Sequence, residues 1–212
     1  MSRDQVPLWL VSILKGGARK STTAAMLAFA LAERGEDVMV VDADHGTQGV
    51  TDWATQVYAT GGELPFHVVQ WTPRLGLLVK FIQQQTRETG ARRVLVDIGG
   101  EAPEVLRQAV LAARLVVSPV GAEKGEISRL PATASIVSPT RVPLYVLLTR
   151  VPTPGAGTAR DARNDLTEDG YTVLGTEIPQ NRDMYAHVWG EVPADVGAYG
   201  KLADELLKRE RS

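Results

Sequence analysis

The sequence contains no cysteine. Disulfides, thiolate nucleophiles and cysteine-ligated zinc or iron–sulfur centres are therefore excluded. Histidine is scarce, with three in 212 residues. His45, His67 and His187 are scattered, without metal-ligand spacing, and read as surface or core residues. Neither sign of charge dominates: 23 Lys and Arg face 25 Asp and Glu, a net charge of −2. Wholesale attraction to nucleic acid is excluded, so any DNA binding must use a local patch. No apolar run reaches the ~18 residues of a membrane span, and the polar start, residues 1–7, lacks a signal-peptide pattern. Linkers, internal repeats and low-complexity tracts are absent as well. A single cytoplasmic domain over 1–212 is the expectation.

What is present is an alternation. Apolar runs at 7–13, 38–41, 66–70, 93–97, 115–120, 144–148 and 171–175 read as strands. Between and after them, 22–34, 51–58, 75–89, 104–113, 127–137, 157–170 and 200–211 read as helices, with Pro131 an irregularity in the fifth. Strand–helix alternation of this kind means βαβ units. The expected fold is α/β: one mostly parallel twisted sheet with helices on both faces. Ligands on such sheets bind at the C-terminal ends of the strands.

Those ends carry the informative residues. The first strand runs into Lys15-Gly16-Gly17-Ala18-Arg19-Lys20-Ser21-Thr22 and then a helix. Glycines after a strand and before a helix present backbone N–H groups and a helix N-terminus to an anion. A lysine and a hydroxyl at the helix start suit phosphate and Mg²⁺. The second strand ends at Asp42-Ala43-Asp44 and the fourth at Asp97. A helix cap and a solvated loop residue are the plainer reading of the first pair.

The ordinary phosphate loop, Gly-x-x-x-x-Gly-Lys-[Ser/Thr], is not met, because Leu14 and Arg19 occupy its glycine positions. Lys15-Gly16-Gly17-x-x-Lys20-Ser21 instead resembles the deviant Walker A loop of the ParA/MinD family of ATPases. Further resemblance lies in Asp42-x-Asp44 with Thr51-Asp52-Trp53, in 93–120, in Leu147-Leu-Thr-Arg150, and in Ile178-Pro179-Gln180-Asn181. The length is similar to the compact, ParF-like plasmid-partition members, without an N-terminal helix-turn-helix extension. Three departures stand out: Arg19 for a loop glycine, His45-Gly46 for Pro-Gln, and Ile98-Gly99-Gly100 for a proline-rich turn.

The resemblance implies a slow, partner-stimulated ATPase using ATP/ADP and Mg²⁺. It implies that Lys15 reaches the partner subunit's phosphates in a nucleotide-sandwich homodimer, as an arginine finger does. Lys20 would hold the β/γ-phosphates within its own subunit, with residues 16–22 lining the loop. Ser21, Asp42 and Asp97 would serve the metal and its waters, and Asp44 the attacking water. Pro179, Gln180 and Asn181 would flank the adenine, although with Arg182 they also read as a polar turn. The implied role is plasmid or chromosome partition: an ATP dimer on nucleoid DNA without sequence preference, released when a ParB-type centromere-binding protein stimulates hydrolysis. Arg160, Arg163, Lys201, Lys208 and Arg209 are the candidate DNA contacts. Two alternatives stand beside it, an ATP-gated DNA-binding scaffold with little hydrolysis and a positioning or conjugation factor for another cargo. The basic C-terminal helix is short and lacks an aromatic anchor, which argues against a membrane role.

Overall fold

The structure, a computed structural model, describes residues 6–14, 19–152, 155, 157–180 and 189–211. Seven strands form one sheet: β1 (Leu8–Ser12), β2 (Val38–Ala43), β3 (His67–Gln70), β4 (Arg93–Ile98), β5 (Leu115–Gly121), β6 (Leu144–Val151) and β7 (Thr172–Pro179). Every pairing is parallel, in the order β3-β2-β4-β1-β5-β6-β7. The helices are α1 (Lys20–Ala32), α2 (Gly49–Ala59), α3 (Leu78–Thr89), α4 (Pro103–Val110), α5 (Lys124–Ile127), α6 (Leu130–Val137), α7 (Thr158–Glu168) and α8 (Ala198–Glu210).

The period-two alternation of buried strands divides the core into two faces. Trp9, Val11, Val38, Val40 and Leu95 point to the face that carries α1, α2 and α8. Leu8, Leu10, Met39, Val41, Val94 and Val96 point to the opposite face, with residues of α3 and α4. Val146 and Leu148 meet Leu130 of α6 and Ala159, Ala162 and Leu166 of α7. Helix α1 is the centre of the first layer. Eleven of its thirteen residues are buried, because α2 and α8 cover the side that the sheet leaves open.

The crossover directions place the site. From β1 and β2 the chain steps toward the β3 edge, with α1 and α2 on one face. From β3 to β7 it steps back the other way, with the crossover helices on the other face. Right-handed crossovers require that change of face when the direction reverses. The reversal puts a crevice between the C-terminal ends of β1 and β4, where helices leave to opposite sides.

One expected helix is corrected. Residues 127–137 do not form a single helix: α5 ends at Ile127 and α6 begins at Leu130. Pro131 falls in the first turn of α6, where its missing N–H costs nothing, rather than inside a longer helix. The third helix is preceded by a separate short 3₁₀ turn, Pro73–Leu75.

Candidate functional site

Asp97 is the penultimate residue of β4, and Asp42 sits opposite it in register on β2. Both share parity with Val40 and Leu95, so both side chains face the α1 layer. Asp97 is wholly buried and Asp42 is 1% exposed. Asp42 is well satisfied: Oδ1 accepts the Asp44 N–H at 3.1 Å and Oδ2 the Thr51 N–H at 2.9 Å. Asp97 is not. Among the described residues neither of its oxygens has a partner at full hydrogen-bond geometry, although the Ser21 hydroxyl lies close enough to favour the charged form. Burial pushes its pKa up to about 7. The Ser21 hydroxyl and the Lys20 ammonium offset part of that rise, while Asp42 and Asp44 add to it. Burial likewise raises Asp42, against the Thr51 and Asp44 N–H groups. A buried carboxylate with two empty acceptor atoms is costly unless a cation or donor arrives.

Lys20 and Ser21 open α1, and Lys20 is 7% exposed. Lys15, Gly16, Gly17 and Ala18 lie outside the described residues. The chain is anchored on either side of them: the Leu14 N–H donates to Thr133 Oγ1 at 2.9 Å, and the Thr23 N–H to the Arg19 carbonyl at 2.9 Å. Arg19 accounts for one departure from the family pattern. Its backbone is left-handed, φ 54° and ψ 39°, the conformation in which glycine is at ease. Arg19 holds this conformation at a cost of ~1–2 kcal/mol. Glycine loses more backbone freedom on folding, so Arg19→Gly is expected to raise Tm by only about 1–3 °C. Differential scanning calorimetry without nucleotide checks this. A fall in Tm would mean that the arginine side chain stabilises the fold.

Two glycines shape the crevice, and neither stood out in the sequence as a site residue. A Cβ on Gly49, at the start of α2, would lie 2.7 Å from Ser21 Oγ. A Cβ on Gly99 would lie 2.7 Å from Asp44 Oδ1 and 3.0 Å from its Cγ. The Ile98-Gly99 turn therefore gives room to the Asp44 carboxylate. Asp44 in turn holds the exposed loop after β2: Oδ1 accepts the N–H groups of Gly46 at 3.2 Å and Thr47 at 3.3 Å, and Oδ2 the Thr47 hydroxyl at 2.8 Å.

Farther along the rim, Pro179 ends β7, and the Gln180 N–H donates to the Val151 carbonyl at 2.8 Å. Asn181 and Arg182 lie outside the described residues. At the ends of β5 and β6, Arg150 pairs with Glu126, whose Oε2 accepts the Gly121 N–H at 2.8 Å. Trp53 is buried. Trp189, 36% exposed, stacks on it with ring centroids 5.1 Å apart, beside Gly49. Thr22 is buried on α1. Of the candidate DNA contacts, Arg163 is engaged with Glu177 and the Leu174 carbonyl, and Arg209 with Glu205 and the Tyr145 ring. Arg160, Lys201 and Lys208 are exposed.

The residues present fit a magnesium nucleotide. Among the described residues no group of three acids or histidines could hold a metal. Mg²⁺ normally takes one or two carboxylates and completes its shell with water and phosphate. Asp97, Ser21 and Asp42 could supply such ligands, beside the basic start of α1.

A parallel sheet with an acidic pair and a lysine-led helix start at its switch point defines a P-loop-type α/β nucleotide-binding protein. Comparison with known proteins identifies the family. Residues 9–188 match the CobQ/CobB/MinD/ParA nucleotide binding domain. The chain belongs to this family of ParA/MinD ATPases. A curated relative, protein ParA of Rhizobium radiobacter, is 33% identical over 116 residues. That alignment covers 54% of this chain and 49% of the relative, so the chain spans about half of that protein's length. A plasmid partition protein from Borrelia burgdorferi B31, bound to AMPPNP, shares the fold with TM-score 0.73 and 16% identity, covering 97% of this chain and all of that one. MinD in its complex with MinC, from Aquifex aeolicus, matches with TM-score 0.74 and 16% identity over 95% and 96% of the two chains. Cobyrinic acid a,c-diamide synthase from Mycobacterium smegmatis, with an ATP analogue and magnesium, matches with TM-score 0.68 and 19% identity over 98% and 96%. Among the described residues no helix is long and apolar enough to cross a membrane.

Proposed function

We propose that this chain is a partition-type ATPase of the ParA group, cytoplasmic and nucleoid-associated, working as a single domain. It would dimerise on ATP, bind DNA without sequence preference, and let go when a centromere-binding protein stimulates hydrolysis. The observation that carries the site reading is the buried, unpartnered Asp97 carboxylate beside Ser21 and Lys20, in register with Asp42. Ser21, Asp42 and Asp97 would hold Mg²⁺ and its waters, and the ion would neutralise phosphate charge. Lys20 places its ammonium on the β/γ-phosphates. The backbone of residues 16–22 would line the phosphates. Lys15 crosses to the partner subunit's phosphates, adding a cation only when two subunits meet. Asp44 orients the attacking water and accepts its proton. Pro179, Gln180 and Asn181 flank the base.

DNA binding by a chain of net charge −2 calls for a patch doubled in the dimer. Arg160, Lys201 and Lys208 are its exposed members. Arg163 and Arg209 contribute less, because both are half-buried against carboxylates. The test is retention of a random-sequence duplex with ATP, with ADP and with no nucleotide, each in Mg²⁺. Retention with ATP alone is expected. Retention in no state would refute the DNA-binding role, and equal retention in all three would refute its control by ATP.

A further inference from the structure

The loop after β2 has more order than a solvated turn needs, and that order converges on one carboxylate. Asp44 accepts three hydrogen bonds, all from the next three residues of the chain. Its own carbonyl accepts the Gln48 N–H at 2.8 Å, and Gln48 is left-handed, φ 48°, as it caps α2. Residues 44–48 thus form a closed unit between β2 and α2. Gly99 presses on the carboxylate from the other side, at a distance that admits no Cβ. Two of the departures from the family pattern, at His45-Gly46 and at Ile98-Gly99, meet at this carboxylate.

We propose that Thr47 is a positioning residue that holds Asp44 in a resting state. In that state its carboxylate serves the loop, and hydrolysis requires the Thr47 hydroxyl to release Oδ2. The proposal rests on the reading of Asp44 as the residue that orients the attacking water. A carboxylate offers about four lone-pair directions, and each donor that occupies one competes with the attacking water for it. The two N–H groups on Oδ1 are backbone and stay with the fold. The Thr47 hydroxyl on Oδ2, at 2.8 Å, comes from an exposed side chain and rotates away with little else disturbed. A slow basal rate follows from this contact. Closure of the rim on a second subunit or a partner protein would raise the rate by displacing the Thr47 hydroxyl.

The variants are Thr47→Val, which keeps the shape and removes the donor, and Thr47→Ser, which keeps the donor. With Mg·ATP, Thr47→Val is expected to raise basal kcat about three- to tenfold, the effect of one hydrogen bond, with KM unchanged. Thr47→Ser should match wild type. In nucleotide-free protein, hydrogen–deuterium exchange of the 44–48 segment should be the same in Thr47→Val, Thr47→Ser and wild type, because the backbone N–H bonds to Oδ1 remain. A basal kcat equal to or below wild type in Thr47→Val, or a rise in kcat that comes with faster exchange across 44–48, overturns the proposal. Asp44→Ala separates the two layers. If that variant hydrolyses ATP at the wild-type rate, the role of Asp44 itself is wrong. If it is inactive while Thr47→Val is no faster than wild type, only the resting-state proposal fails.

Discussion

Asp97→Asn is expected to stabilise the nucleotide-free protein at pH 8 by up to about 4 kcal/mol. The carboxyl group's pKa rises from 3.8 to about 7 on folding, mainly through burial. At ~1.4 kcal/mol per pH unit, that rise is the source of the figure. The sign follows from the direction. A raised folded-state pKa means that the folded protein prefers the neutral acid. Its contribution is fully present below pH 3.8 and is lost as pH rises through 7. Above that, wild type carries the whole cost of a buried, unpartnered charge, whereas asparagine never ionises. The advantage of the variant should therefore be small near pH 4.5 and largest above pH 7. Urea unfolding at pH 5, 6, 7 and 8, without nucleotide, measures it. An advantage that does not grow with pH would mean that Asp97 is not strained by its charge. Loss of stability at pH 8 would mean that it has a partner already.

The second large effect concerns rate rather than stability. Asp44→Ala is expected to lower ATP hydrolysis by about 10²- to 10⁴-fold, the range for a positioned general base. Nucleotide affinity should change little, because Asp44 is tied to its own loop and is not among the groups assigned to the phosphates or the metal. The ATP-bound state should accumulate, and with it the DNA-bound state. Single-turnover phosphate release together with fluorescent-nucleotide titration separates rate from affinity. A wild-type rate in Asp44→Ala would remove the residue from the chemistry.

Much of this was legible in the sequence because the signals are local. Apolar runs such as Val38–Val41 on both faces of a strand announce a parallel sheet. The order of motif and helix from Lys15 to Thr22 announces a phosphate loop. Strand ends carrying Asp42, Asp44 and Asp97 announce one rim. What was not legible depends on register and on contacts between distant segments. No spacing rule says that Asp42 and Asp97 lie opposite each other, since β4 enters the sheet between β1 and β2. Gly49 and Gly99 matter through Ser21 and Asp44, side chains brought to them only by folding. Thr47 looked like one more polar loop residue, and its hydroxyl gains a role only from the turn that brings it back to Asp44. Arg19 was the sharpest departure from the family pattern. The backbone resolves half of it, since Arg19 adopts the left-handed conformation in which glycine is at ease.

The central claim is that the crevice between β1 and β4 binds Mg·ATP through Lys20, Ser21, Asp42 and Asp97. Isothermal titration of a non-hydrolysable ATP analogue tests it directly, in Mg²⁺ and in EDTA, on wild type, Lys20→Ala and Asp97→Asn. The expected result is binding by wild type that weakens in EDTA. Lys20→Ala should lose about 100-fold, as for a charge-assisted phosphate contact removed from a buried site. Asp97→Asn should show the same affinity in Mg²⁺ as in EDTA. Affinity indifferent to EDTA in wild type, and unchanged in Lys20→Ala, would contradict the account.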